Sequence, residues 1–429
     1  MRDGDTIAAL SSGALPAGVA VIRLSGSEVP HLLERLAGGV PEPRKLVLRQ
    51  IGAETVLDRG LVAYFPAPHS FTGEHCAELQ VHGSPAGVRA ILKLLVQHGA
   101  RLAEAGEFTR RAFENGKLDL VTIEGLGDLL AAETENQRQQ ALDRLEGGLT
   151  RQLNSWREQL LDLRAELEAR LDFSDEGDVD ELPESFSAAV VALRQSLQVS
   201  LSGFDRGRLR REGVRVALAG VPNAGKSSLI NALSRSDDAI VTEEAGTTRD
   251  VREVPLDLGG QLFILLDLAG LRETASKAEA EGVRRAQAAI ASADLVLWLV
   301  APDLPDAQAP MTEAPLWRIG TKADLGAAPG VKLALSTHTG TGVDTLLKGI
   351  EDFGASMVRG EPVLISRERD RQALVEAINA IDEATLVLRQ SELAAESLRR
   401  ASHALERLLG RLDPERVLDQ LFSRFCIGK

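Results

Sequence analysis

The stretch GVPNAGKSSL, residues 220–229, constrains this chain more than any other segment. An apolar run, Val214–Ala219, leads into Gly220-x4-Gly225-Lys226-Ser227, and Leu229, Ile230 and Leu233 then recur with helical spacing. Strand, glycine loop and helix in this order form a phosphate-gripping unit. Glycines let the backbone approach phosphates, while amide N–H groups and the helix start favour negative charge. Lys226 suits contact with the β- and γ-phosphates, and Ser227 suits magnesium. Such a unit needs a mostly parallel sheet with helices on both faces, and buried-looking strands follow at Leu262–Leu266, Leu295–Val300, Leu316–Ile319 and Lys332–Leu335.

A phosphate loop does not choose a base. Thr321-Lys322-Ala323-Asp324 follows the fourth strand, and an Asp there can accept from both N1–H and the 2-amino group of guanine. Adenine offers no such pair of donors. Ser336-Thr337-His338, after the fifth strand, occupies the position of the last base-contacting loop. Between them, Gly246-Thr247-Thr248-Arg249-Asp250 carries a threonine, Thr248, suited to complete magnesium coordination when the γ-phosphate is present. The segment resembles a translation-factor-like GTPase, with Thr321 where Asn is usual and Asp267-Leu268-Ala269-Gly270 where Asp-Thr-Ala-Gly is usual. The expected nucleotide-binding set is Asn223, Ala224, Gly225, Lys226, Ser227 and Ser228, then Thr242, Glu243, Glu244, Ala245, Gly246, Thr247 and Thr248, then Asp267 through Gly270, Thr321 through Asp324, and Ser336 through His338. Where Ras-like enzymes carry a water-orienting Gln, this chain has Leu271, which cannot hydrogen-bond water. Glu279, in the helix-forming stretch Ala278–Ile290, is the candidate replacement. Asn223 is the candidate to hold a monovalent cation, adding the positive charge the transition state requires.

The chain has 429 residues, more than one such domain needs, and at ~150 residues per domain two or three are expected. Residues 1–117 mix short strands, Val19–Leu24 and Leu61–Tyr64, with helix-like stretches such as Ala86–Gln97, and read as an α+β domain. Leu142, Leu145, Leu149, Leu153, Trp156, Leu160, Leu163 and Leu167 predict one long amphipathic helix. After Pro362 a second helical block carries Leu374, Ile378, Ile381, Thr385 and Leu388 on one face. Neither arm is self-sufficient, so residues 118–211 and 358–429 are expected to form one helical domain into which 212–357 is inserted. The acidic stretch Ser174–Glu184 reads as a loop between helices.

A hydrophobic share of 44% beside 26% charged residues suits a globular chain, and no apolar run approaches the ~20 residues of a membrane span. Only Cys76 and Cys426 exist to pair, and MRDGDTIAAL lacks the pattern of a secretory leader, so a cytoplasmic setting is expected. The net charge of −14 argues against broad electrostatic adhesion to nucleic acid. Any RNA must then be held by a local patch or through a partner protein.

Six further phrases carry a resemblance that spans the whole chain: Asp5–Ala9 (DTIAA), Val21–Gly26 (VIRLSG), Ser70–Glu74 (SFTGE), Glu78–Gly83 (ELQVHG), Gly106–Phe113 (GEFTRRAF) and Phe425–Lys429 (FCIGK). With the inserted GTPase and split helical arms, they resemble the MnmE (TrmE) family of tRNA modification GTPases. The resemblance implies a homodimer working with the FAD-containing protein MnmG. The pair would place aminomethyl or carboxymethylaminomethyl groups on C5 of the wobble uridine (U34) of certain tRNAs. A 5-formyl- or 5,10-methylene-tetrahydrofolate would donate the one-carbon unit, held in a folate-binding-like N-terminal domain by Arg23, Glu78, Lys117 and Lys429. The resemblance also implies K+-dependent pairing of GTPase domains through Asn223, Thr242, Glu244 and Thr247, with Mg2+ on Ser227 and Thr248, and a catalytic set of Glu279, Asn223, Lys226 and Cys426.

The GTPase motifs alone fit a second class equally well, a regulatory switch that binds ribosomal RNA or a partner without modification chemistry. The N-terminal phrases and the terminal CIGK separate the two, because a ribosome-assembly switch has no use for a folate-like domain.

Overall fold

The computed structural model describes residues 5–172, 182–235, 240–241, 252–268, 278–305, 307–360 and 363–412, together with Phe422 and Gly428. The chain divides into two compact units, Met1–Gly127 with Leu405–Lys429, and Asp128–Ala404.

In the first unit, β1 (Thr6–Leu10), β2 (Ala17–Ser25), β3 (Val47–Gly52), β4 (Val56–Phe65), β5 (Cys76–Gly83) and β6 (Ala100–Leu102) form one sheet in the order β3-β4-β5-β2-β1-β6. All neighbours run antiparallel except β1 and β6. Alternation decides what each face buries. Ile22, Leu24, Val62 and Leu79 pack with Leu32 and Leu33 of α1 (Val29–Leu36) and with Val88, Ile91 and Leu95 of α2 (Pro85–Gln97). Ile7 and Ala9 instead pack with Phe108 of α3 (Glu107–Glu114). α4 (Leu120–Leu130) buries Leu120 and Ile123 against Phe422.

The second unit opens with α5 (Glu135–Leu145), α6 (Gly148–Asp172), α7 (Glu184–Ser202) and α8 (Phe204–Glu212). The single long helix expected through Leu142 and Leu149 is two, because the chain turns at Gly147 with a φ of 79° that glycine alone adopts easily. Leu149, Leu153, Trp156, Leu160, Leu163 and Leu167 are buried as their spacing predicts, whereas Leu142 and Leu145, on the earlier helix, are half-buried. Most of the acidic stretch Ser174–Glu184 lies outside the described residues; Glu184 opens α7.

A seven-stranded sheet follows, built from β7 (Val214–Gly220), β8 (Ile240–Val241), β9 (Arg252–Leu258), β10 (Gln261–Asp267), β11 (Leu295–Val300), β12 (Leu316–Gly320) and β13 (Leu333–Ala334). The order is β13-β12-β11-β7-β10-β9-β8, parallel from β13 to β10 and antiparallel at β9 and β8. α9 (Lys226–Leu233) and α11 (Val343–Val358) cover one face through Leu229, Leu233, Leu346 and Ile350. α10 (Ala278–Ala291) covers the other through Ala289. The expected mostly parallel sheet with helices on both faces is therefore present.

α12 (Glu368–Leu386) and α13 (Ser391–Leu408) follow, and α7 packs against both α6 and α12. The face of α12 differs from the expected one at its end. Ala384 is buried while Thr385 is exposed, and Leu388 lies beyond the last helical turn. Among the described residues no helix is long and apolar enough to cross a membrane.

Candidate functional site

The phosphate loop sits where β7 hands over to α9. Gly225 caps α9 with φ 92°, and Asn223 takes a left-handed φ of 66°. A Cβ on Gly225 would lie 3.7 Å from the nearest neighbour, Thr321 Cβ, so backbone angle rather than space requires glycine there. The Lys226 ammonium folds back on its own loop, donating to the carbonyls of Gly220 (2.8 Å) and Val221 (3.0 Å). Burial pushes it below the usual lysine value, and the nearby Asp267 carboxylate opposes that shift. Asp267 is buried at the end of β10, the strand paired in parallel with β7, and Leu268 follows it. Ser227 is exposed at the start of α9. A serine hydroxyl and a carboxylate are hard oxygen donors that fit magnesium.

The two base loops are tied to this frame. Buried Thr321 donates its hydroxyl to the Ala224 carbonyl at 2.7 Å, and its N–H to Val300 O at 2.8 Å. Lys322 holds a φ of 53° and pairs with Asp303 at 2.7 Å. The Ala323 N–H donates to Leu335 O at 3.0 Å, bringing the loops together. Buried Ser336 donates to the Asp324 carboxylate at 2.5 Å, a bond that holds this acid below its ordinary value. The backbone N–H groups of His338 and Thr339 donate to the same hydroxyl, at 3.3 Å each, which closes the turn around Thr337. The bond favours the carboxylate form of Asp324, which can accept two donors.

Several expected site residues lie outside the described set: Thr242, Glu243, Glu244, Ala245, Gly246, Thr247, Thr248, Ala269, Gly270, Leu271, Cys426 and Lys429. Glu279 falls within α10, with its side chain outside the described atoms.

In the first unit, Arg23 and Glu78 face one another across β2 and β5 and form an ion pair, Nη2 to Oε1 at 2.9 Å and Nε to Oε1 at 3.2 Å. The Arg23 guanidinium lies 5.5 Å from the Phe71 ring centre and 5.9 Å from that of Phe108. Lys117, exposed beyond α3, donates its N–H to Ala112 O at 2.8 Å. The Gly428 carbonyl accepts from Ser11 Oγ at 2.8 Å, and Ser11 N–H in turn donates to Val21 O. Gly428 is thus tied through Ser11 to Val21, which lies two residues, about 7 Å, along β2 from Arg23.

Next to this pair lies a cluster the motif reading did not single out. Arg111 Nη2 donates to Asp5 Oδ1 (2.5 Å) and Glu107 Oε1 (3.2 Å), while its Nη1 donates to Glu74 Oε2 (3.1 Å). Arg101 bridges Asp5 (2.7 Å) and Glu107 (2.9 Å). Ser25 donates to Glu74 Oε2 at 2.6 Å and shares a 2.6 Å bond with Thr72. Hydrogen bonding from Arg101 holds Asp5 below its usual value; at Glu107 burial opposes the same shift, and Arg101, the Glu104 N–H and Arg111 together outweigh it. The signal was in the sequence, since these residues except Arg101 fall inside or beside the phrases DTIAA, VIRLSG, SFTGE and GEFTRRAF.

A glycine loop at the end of a parallel strand, a buried aspartate on the neighbouring strand and a braced Asp324 define a P-loop GTPase, an enzyme that hydrolyses GTP with magnesium. Family models match as "GTP-binding protein TrmE N-terminus" over residues 6–117 and "MnmE helical domain" over 120–426. The tRNA modification GTPase MnmE of Azorhizobium caulinodans is 49% identical over 437 residues, covering 100% of both chains. That of Methylorubrum populi is 49% identical, covering 99% of this chain and 98% of its own. Among solved structures, the G domain of the T. maritima FeoB iron transporter is 25% identical over 33% of this chain and 98% of that one, with a TM-score of 0.24. The chain belongs to the MnmE family of tRNA modification GTPases.

Proposed function

We propose that this protein couples GTP hydrolysis to modification of the wobble uridine (U34) of certain tRNAs. Acting as a homodimer in the cytoplasm with FAD-containing MnmG, it installs aminomethyl or carboxymethylaminomethyl groups at C5, using a 5-formyl- or 5,10-methylene-tetrahydrofolate donor. Three parts carry this out: residues 1–117 for folate and dimerisation, 118–211 with 358–429 as a helical frame, and 212–357 as the GTPase domain.

The observation that supports the reading best is the coexistence in one chain of a braced Asp324 loop and an Arg23–Glu78 pair on the strand whose Val21 is tied through Ser11 to Gly428. Arg23 suits the anionic tail of a folate, and Glu78 suits the amide and amino donors of a pterin edge. Lys117 adds a second cation, and Lys429 adjoins Gly428, whose carbonyl is held by Ser11. Cys426 belongs to the same chain end. In the GTPase domain, Lys226 leaves the Gly220 and Val221 carbonyls for the β- and γ-phosphates, while Asp324 reads guanine. Mg2+, held by Ser227 and Thr248, and K+, held by Asn223, Thr242, Glu244 and Thr247, supply positive charge to the triphosphate when bound. Glu279 orients water in place of the glutamine that Leu271 replaces.

The test is GTP turnover in potassium against sodium. Hydrolysis is expected to be slow in sodium and much faster in potassium, with Glu279→Ala abolishing the acceleration while nucleotide affinity stays near normal. Equal rates in the two salts remove the cation mechanism. Arg23→Ala is expected to weaken folate binding and spare hydrolysis, and unchanged folate affinity rejects that site.

A further inference from the structure

We infer that α5 is a clamp across the entry and exit of the inserted GTPase fold and its β9–β10 turn, and that Asn136 and Gln140 are positioning residues that transmit the nucleotide state to the helical frame. This rests on the reading that hydrolysis drives the modification.

The inserted domain joins the frame at its entry, α8 into β7, and at its exit, the segment Val363–Ser366 between α11 and α12. One polar stripe of α5 grips both, at the spacing of successive helical turns. Gln137 Nε2 donates to Arg211 O at 2.9 Å, and buried Gln140 Nε2 donates to Gly207 O (3.1 Å) and Val363 O (2.8 Å). Arg144, fully buried, donates to Leu364 O (2.5 Å) and pairs with the equally buried Asp370 at 2.9 Å. Entry and exit also touch without side chains between them, since a Cβ on Gly207 would stand 2.2 Å from Ile365 O.

The N-terminal end of α5 holds a third place. Asn136 N–H donates to Gly260 O at 3.0 Å in the β9–β10 turn, and its Nδ2 donates to Gln261 Oε1 at 3.3 Å. Gln261 begins β10 and Asp267 ends it, seven residues that span about 20 Å. A displacement at Asp267 is therefore delivered by a rigid strand to Asn136, and by an 11-residue helix about 16 Å long to Arg144 and the start of α12. Sliding the GTPase fold against the frame would break the two Asn136 bonds to the β9–β10 turn, while Gln137, Gln140 and Arg144 hold together the two segments of the frame through which the inserted domain enters and leaves. The stripe is polar because it binds backbone carbonyls, two in α8 and two in the segment before α12, and an apolar stripe could offer them no donor.

The experiment uses the full chain with Asn136→Ala and, separately, Gln140→Leu. Backbone hydrogen exchange of α5 is read with GDP and with a non-hydrolysable GTP analogue, GTP turnover is measured, and modified uridine is quantified in tRNA from cells whose sole copy is each variant. In the unsubstituted protein, α5 exchange is expected to differ between the two nucleotides. In the variants that difference is expected to vanish and modified uridine to fall at least about ten-fold, while turnover stays within about two-fold. Identical α5 exchange in the two nucleotide states of the unsubstituted protein overturns the inference. So does undiminished modification in both variants, or turnover that falls as far as modification does, which marks a merely structural contact. If cells lacking the protein altogether keep their modified uridine, the proposed function fails instead, and the exchange comparison alone decides the clamp.

Discussion

The Thr321 hydroxyl donates to the Ala224 carbonyl at 2.7 Å, so the guanine loop and the phosphate loop are joined by one side chain. The threonine stands where an asparagine is usual, and the bond shows what it retains, a donor short enough to sit buried under the loop. Thr321→Val keeps the shape and removes the donor. The expected loss is about 1–3 kcal/mol of the free energy that holds the loops in register. GTP affinity, read by titration with a fluorescent analogue, is expected to drop roughly ten-fold or more. Thr321→Ser is expected to stay near the unsubstituted value, and equal affinity for valine and threonine would remove the brace.

The buried Arg144–Asp370 pair carries a different expectation, because both partners are fully excluded from water. Burial alone would raise the Asp370 carboxyl, but Arg144, Arg369 and the Ser366 N–H together keep it low, with Arg144 the strongest of them. Arg144→Leu strands a buried charge and is expected to cost about 3–5 kcal/mol in urea unfolding. The double replacement Arg144→Leu with Asp370→Leu is expected to be milder than the single one. A double variant as unstable as the sum of the singles would deny the coupling.

Much of the fold and little of the second unit's polar wiring was legible beforehand. The glycine loop, Lys226 and Asp324 declare themselves because their chemistry demands residue types in a fixed order, and strands β7, β10 and β11 because both faces are buried. Arg144 could not be read in the same way, since its partner lies 226 residues away and a helix with Asn136, Gln137, Gln140 and Arg144 on one stripe looks like a solvated face. The one local hint was Thr134 with Gln137, whose reciprocal capping box fixes where α5 begins. The break at Gly147 was hidden because the leucine spacing runs on through it. On α12 the spacing alone points Thr385 inward, whereas the helix buries Ala384 and leaves Thr385 exposed.

Acid should weaken the first unit through its carboxylate cluster. Asp5 and Glu107 sit below their unfolded values of 3.8 and 4.5 in the folded protein. Between the folded and unfolded values the unfolded chain binds more protons, so stability is complete above about 4.5 and falls as pH drops below it. Thermal unfolding from pH 6 to pH 3 is expected to show that decline. Arg101→Ala, which removes the largest lowering contact on Asp5, is expected to flatten it, and an unchanged slope in that variant would contradict the assignment.

The most direct test of the account is nucleoside analysis of tRNA from cells whose only copy carries Lys226→Ala. If GTP bound at this loop drives the modification, the C5-modified wobble uridine disappears and unmodified uridine replaces it. Modified uridine at its ordinary level in those cells would contradict the account.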